Sequence, residues 1–233
     1  MRTNRDDILV HAGAVLRMFD NAVQDIGASQ LLENRDYSVT REAWIAAVYL
    51  AGLRVITEKP WWLAVNTVEN SEEDIIGYTF TQVDEKRTKK EKLPIQVFER
   101  TENSPGDVFQ SIKRKLEHTD LTDCSLVCYV KRPEFIKLDV LSESLASINP
   151  NPRVRDIWLI ATRAGDGRKM SIVKLYPDFS GRTLVIDLDA EHQDQTSEKT
   201  FLYPFRGVRK GDKFEKTGKS ILLKPNFTFE ELL

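Results

Sequence analysis

Cysteine is scarce in this chain, net charge is small and no long apolar run occurs. Each shortage removes a class of function. The two cysteines, Cys124 and Cys128, fall in one apolar stretch, Cys-Ser-Leu-Val-Cys-Tyr-Val. On an extended strand their Cα atoms stand roughly 13 Å apart, whereas a disulfide needs less than about 7 Å. With no histidine spaced to join them they make no zinc site, so both read as small core residues. The formal charge of −2 supplies no global pull towards nucleic acid or membrane, so any electrostatic partner has to be met locally. No apolar segment approaches the ~20 residues of a bilayer span. The opening residues, Met1-Arg-Thr-Asn-Arg-Asp-Asp7, lead into no apolar signal segment. The expectation is a cytoplasmic protein without a membrane partner. Missing too are a phosphate-binding glycine loop, a dinucleotide fingerprint and an HExxH helix. His11 and His118 have no evident serine or carboxylate partner for a hydrolytic triad.

What is present is an ordinary globular composition, 41% apolar and 30% charged over 233 residues, enough for a large core. Apolar residues from Ile8 to Ile26 recur at helical spacing, and Gly27 is a natural stop. Ser38 or Thr40 caps a second helix whose buried stripe is Trp44, Ala47, Val48, Ala51 and Val55. Pro60 separates it from a strand, Trp61 to Val65. Strands near 74–80 and 93–100 follow, joined by a charged segment, Thr81 to Lys92, that reads as a long hairpin tip. Ser104-Pro-Gly-Asp107 leads into a helix over 107–117 with Val108, Ile112 and Leu116 inward. A strand from Leu126 to Val130 and a helix from Val140 to Ile148 come next. Asn149-Pro-Asn-Pro152 marks the expected internal boundary. It divides a helix-plus-mixed-sheet core over 1–150 from a β-rich extension over 151–233. In that extension a hairpin turns at Ala164-Gly-Asp-Gly167, and a strand over 184–188 follows it. The fold class is therefore α/β, mixed α+β, with a central mixed sheet flanked by helices and then a mainly antiparallel β C-terminal part.

Two carboxylates stand out. Asp74 opens the run Ile75-Ile-Gly-Tyr-Thr-Phe80, and Glu99 ends the run Pro94-Ile-Gln-Val-Phe-Glu99. A hairpin that pairs Phe80 with Leu93 sets Asp74 opposite Glu99. Acids so placed either bind a cation or repel each other. Gln96 stands an odd number of residues before Glu99 and so points to the opposite strand face.

The order helix, three strands, helix, strand, with an acid opening the second strand and another on the third, resembles the PD-(D/E)XK nuclease-like fold. The resemblance spans roughly Thr40 to Arg132. It implies a metal-dependent nuclease in which Asp74 and Glu99 hold Mg²⁺ for phosphodiester hydrolysis. The motif's lysine position falls on Thr101, and Lys113 or Lys115 on the following helix would take its part. Glu42 resembles the acid that some members add on the preceding helix. The second expectation from the same residues is a non-catalytic interaction or nucleic-acid-binding module on a degenerate nuclease-like fold.

Nucleic acid is the candidate partner because of two basic segments. Lys86 to Lys92 carries five basic residues against one acid, including Lys89 and Lys90. Lys199 to Lys224 carries eight against two, including Arg206, Arg209 and Lys210, interleaved with Phe201, Tyr203, Phe205 and Phe214. Basic residues with aromatics suit phosphate contact and base stacking, although aromatics in alternation also suit the buried face of a strand. The other reading of Glu99-Arg100 is a charge pair at an exposed strand end, and that of Asp187 to His192 is an exposed strand end.

Overall fold

The computed structural model describes residues 8–65, 75–84, 87–148, 154–193, 201–204, 209–210, 213–214 and 221–222. The chain runs β1 Ile8–His11, α1 Ala12–Ile26, α2 Ala28–Glu33, a 3-10 turn Arg35–Tyr37, and α3 Ser38–Thr57. It continues β2 Trp61–Val65, β3 Ile75–Asp84, β4 Arg87–Arg100, α4 Val108–His118, β5 Ser125–Val130, and α5 Leu138–Ser147. It ends β6 Asp156–Arg163, β7 Asp166–Tyr176, β8 Thr183–Asp187, α6 Leu188–Gln193, and the short strands β9 Phe201–Pro204, β10 Arg209–Lys210, β11 Lys213–Phe214 and β12 Ile221–Leu222. The mixed α/β class follows directly. No helix among the described residues is long and apolar enough to cross a membrane.

One sheet of order β12-β9-β1-β2-β3-β4-β5-β6-β7-β8 carries the molecule, and β10 and β11 form a separate hairpin. The links among β2, β3 and β4 give an antiparallel meander, as their shortness requires. Helix α4 is long enough to carry the chain back, so β5 lies parallel to β4. Helix α5 does the same for β6 on β5. The segment 151–193 thus feeds its strands into the same sheet as the first 150 residues.

Three packed clusters fill the two faces. Helices α1 and α3 cover one face, where Ile95, Val97, Val127, Tyr129, Trp158 and Ile160 point. Helices α4 and α5 cover the other, against Leu126, Cys128, Ile157, Leu159 and Leu175. Further along this second face Leu9, Ala64 and Tyr78 make a smaller cluster. Helix α3 is apolar around most of its circumference, and every residue from Ala43 to Leu53 is buried, the pattern of a helix inside a core rather than on it. Val55, expected in its buried stripe, is instead 53% exposed, and Ile56 and Thr57 after it in the last turn of the helix are exposed too. Trp61 and Trp62 split across the sheet as strand alternation demands, Trp61 into the α3 side and Trp62 onto His11 at 5.1 Å.

Three local expectations change. Ile8–His11 is a strand rather than the first turn of the helix: it pairs with β2 on one side and β9 on the other. The His11 side chain accepts from Gly13 N and starts α1 there. Charged residues 87–92 are not a loop but the first half of β4. Asp187 does end a strand, yet the residues after it turn into α6, which Asp187 caps by accepting from the amides of Asp189 and Ala190. Neither cysteine forms a disulfide and both are buried, and burial pushes the Cys128 thiol far up, which makes it an inert packing group.

Candidate functional site

The carboxyl ends of parallel strands are where open α/β sheets place their ligands. Here β4, β5 and β6 end together at Glu99-Arg100, Tyr129-Val130 and Ala161-Thr162, with Glu99 in register with Tyr129, and Tyr129 with Ile160. Side chains alternate along β4, so Glu99 and Arg100 go to opposite faces and do not pair with one another.

Glu99 takes the α3 face, along with Ile95 and Val97. Its Oε1 accepts from Nε of Arg41 at 2.8 Å, and the two side chains are only 16% and 13% exposed. Arg41 is fixed from behind, because its Nη1 donates to the carbonyls of Leu31 at 3.1 Å and Asn34 at 2.7 Å. Lys131, just past β5, donates to the carbonyl of Leu32 at 2.7 Å. Two cations therefore cap the C-terminal end of α2, where unpaired carbonyls concentrate negative charge. Tyr129 stands beside them, its hydroxyl 3.3 Å from Thr162 Oγ1. Burial, aided by the charge on Glu99, raises its pKa.

Arg100 takes the other face and is 0% exposed. Its Nε donates to Glu134 at 2.9 Å, its Nη1 to Ser111 Oγ at 2.6 Å, and its Nη2 to the carbonyl of Gly106. Arg132 donates to the same Glu134 oxygen and to the carbonyls of Ser104 and Gly106. Two guanidiniums thus share one carboxylate and stitch the 101–107 loop to the end of β5. The expected exposed pair at 99 and 100 is corrected to two separate buried links, each to a residue distant in sequence.

The residues expected to act are dispersed. Asp74 lies outside the described residues, as does Arg206. The expected pairing of Phe80 with Leu93 is replaced by Phe80 opposite Lys90, and the last described pair of the ladder is Ile75 with Ile95. This register removes the cross-strand pairing on which Glu99 was placed opposite residue 74. The shift is odd, so it also exchanges the faces. Gln96 does point away from Glu99 and is buried at 5% exposure. Glu42 lies on α3 beside Arg41. Lys113 sits 3.8 Å from Glu117 on the outer face of α4, and Lys115 lines a cleft beside the 101–107 loop. Lys89 pairs with Glu91 at 3.3 Å, and Lys90 lies over the Tyr78 ring at 4.1 Å. Arg209 and Lys210 form β10, opposite Phe214 and Lys213.

Sequence reading missed Arg41, Arg132 and Glu134. Only one signal pointed to Arg41: a basic residue at the head of a helix that is otherwise apolar, where its partner has to lie within the fold.

No group of three or more His, Cys, Asp or Glu residues converges among the described residues. The carboxylate of Glu99, near the end of β4, is paired with a guanidinium at bonding distance. Comparison with family models, curated proteins and solved structures finds no match for this chain.

Proposed function

We propose that the protein is a non-catalytic nucleic-acid-binding module on a framework of the PD-(D/E)XK nuclease-like kind. The observation that carries this reading is the closed pair of Glu99 and Arg41. A carboxylate held by a guanidinium that is itself fixed to two carbonyls would have to give up that charge-assisted hydrogen bond before the same oxygen could ligate a metal. The order α3, β2, β3, β4, α4, β5, with β5 parallel to β4, supports the framework. Support for nucleic acid as the partner comes from the basic strands. Lys89, Lys90 and Lys92 project exposed from β4, and Arg209, Lys210 and Lys213 gather on the β10–β11 hairpin. Such groups bind phosphate without reading sequence.

Fluorescence anisotropy with labelled single- and double-stranded DNA and RNA tests the reading, run with Mg²⁺ and with EDTA. The expected result is binding that weakens steeply with salt, ignores EDTA and leaves the strands intact. Cleavage in Mg²⁺ or Mn²⁺ that disappears in both Asp74→Ala and Glu99→Ala would replace this reading with the metal-dependent nuclease. Absence of binding even at low salt would remove nucleic acid as the partner.

A further inference from the structure

Between the 101–107 loop and the outer half of α4 lies a cleft of about 330 Å³, near the lower end of small-ligand sites. Its wall includes Ser104, Ser111 and Thr119, and its rim carries Arg114, Lys115 and His118. Among the described residues neither Arg114 nor Lys115 forms an ion pair, whereas Lys113 on the same helix is turned towards Glu117. Glu99 also lines the cleft, but its charge is held by Arg41.

The floor adds a second, independent feature. Arg100 is fully buried behind Ser111, and Arg100 and Arg132 share the single carboxylate of Glu134. One positive charge is therefore left over beneath the cleft, in a setting where water screens it weakly. Ser111 Oγ accepts from Arg100 at 2.6 Å, and a serine hydroxyl whose oxygen is so engaged keeps its own proton to donate. Among the described residues that proton has no acceptor, and the side chain lines the cleft. A buried guanidinium thus orients a hydroxyl donor outward, towards two cationic side chains. An oxyanion with several acceptor oxygens satisfies all of them at once and matches their charge, which a neutral ligand would not.

We infer that this cleft is a binding site for a phosphate group, held by Ser111, Arg114 and Lys115. The inference deepens the nucleic-acid-binding reading and rests on it for the source of the phosphate, a strand rather than a free ion.

Calorimetric titration of the full chain with inorganic phosphate tests the site, and a short single-stranded oligonucleotide with and without a 5′-phosphate tests the source. Arg114 is exposed, so Arg114→Gln should fold normally. It is expected to weaken inorganic phosphate binding about tenfold, the loss of one charge-assisted hydrogen bond. Arg163→Gln, an equal loss of charge on β6, two strands from β4 and outside the cleft's lining, is expected to change nothing. Absence of phosphate binding, or equal weakening in both variants, overturns the site. Oligonucleotide binding that depends on Arg114 supports both inferences, and preference for the 5′-phosphorylated form assigns the cleft to a strand end. Phosphate binding that needs Arg114, with oligonucleotide binding that is absent or indifferent to it, upholds the site and removes the strand as its source.

Discussion

Asp156 pays a cost that its surroundings only partly offset. It opens β6 next to Ser125 and beneath Tyr49, whose hydroxyl donates to Ser125 at 3.0 Å. Oδ1 of Asp156 and Nε1 of Trp158 are both buried and meet no partner at hydrogen-bond geometry among the described residues, and Arg155 approaches the other carboxylate oxygen only to 3.9 Å. Burial therefore raises the pKa of Asp156, against the opposing pull of Ser125 and Arg155. A carboxylate raised in the fold is penalised when ionised, so it lowers stability above its folded pKa. That penalty fades as pH falls through the raised value towards the ordinary one. Asp156→Asn is accordingly expected to unfold at a higher urea concentration than the wild type at pH 7, with the gap closing as pH is lowered to 4. A gap that widens on acidification would contradict the assignment. Arg100 and Glu99 carry a related lesson. Adjacent in sequence, they look like a surface pair, and strand alternation does separate them. Their true partners, Glu134 and Arg41, are set by tertiary packing that no local pattern encodes.

At the scale of elements, the β3–β4 ladder shows what composition conceals. A segment with five basic residues over Lys86 to Lys92 has the look of a solvated tip. From Arg87 on, the segment is strand, and its backbone pairs with β3. Glu91 is held between Lys59 and Lys89, each at 3.3 Å, and Lys90 covers the ring of Tyr78. Charge therefore argued for a loop where strand pairing was better, and this misplaced the register as well. The apolar elements were easier to read: α3, β2, α4, β5 and the β6–β7 hairpin follow from periodicity, the Asp107 cap and the Gly165 turn, although Ser38 and Thr40 lie inside α3, whose N-cap position is Tyr37 with no side-chain cap. Gly77 marks a close approach of sheet to helix. A Cβ built there would meet Leu50 Cδ2 at 3.0 Å and Ile95 Cδ1 at 3.4 Å, so the strand passes directly under α3. Gly77→Val is expected to destabilise the protein by about 1–3 kcal/mol through overpacking, measured by urea unfolding. A stability unchanged within error would show that the α3 layer is more yielding than this packing implies.

At the scale of the whole molecule, a single sheet joins the parallel centre β4-β5-β6 to antiparallel strands on both sides. The first strand after the sequence boundary at Asn149-Pro-Asn-Pro152, β6, pairs in parallel with β5 within that sheet. The site sits where the parallel strands end, which was legible from element order alone. What the site can do was not, since it turns on Arg41, a residue far from Glu99 in sequence. The central claim is that this arginine occupies the carboxylate a metal would need. Calorimetric titration of Mn²⁺ into the full chain tests it most directly. The account predicts no binding heat at micromolar metal, for the wild type and for Glu99→Ala alike. Tight Mn²⁺ binding by the wild type that is lost in Glu99→Ala would contradict it.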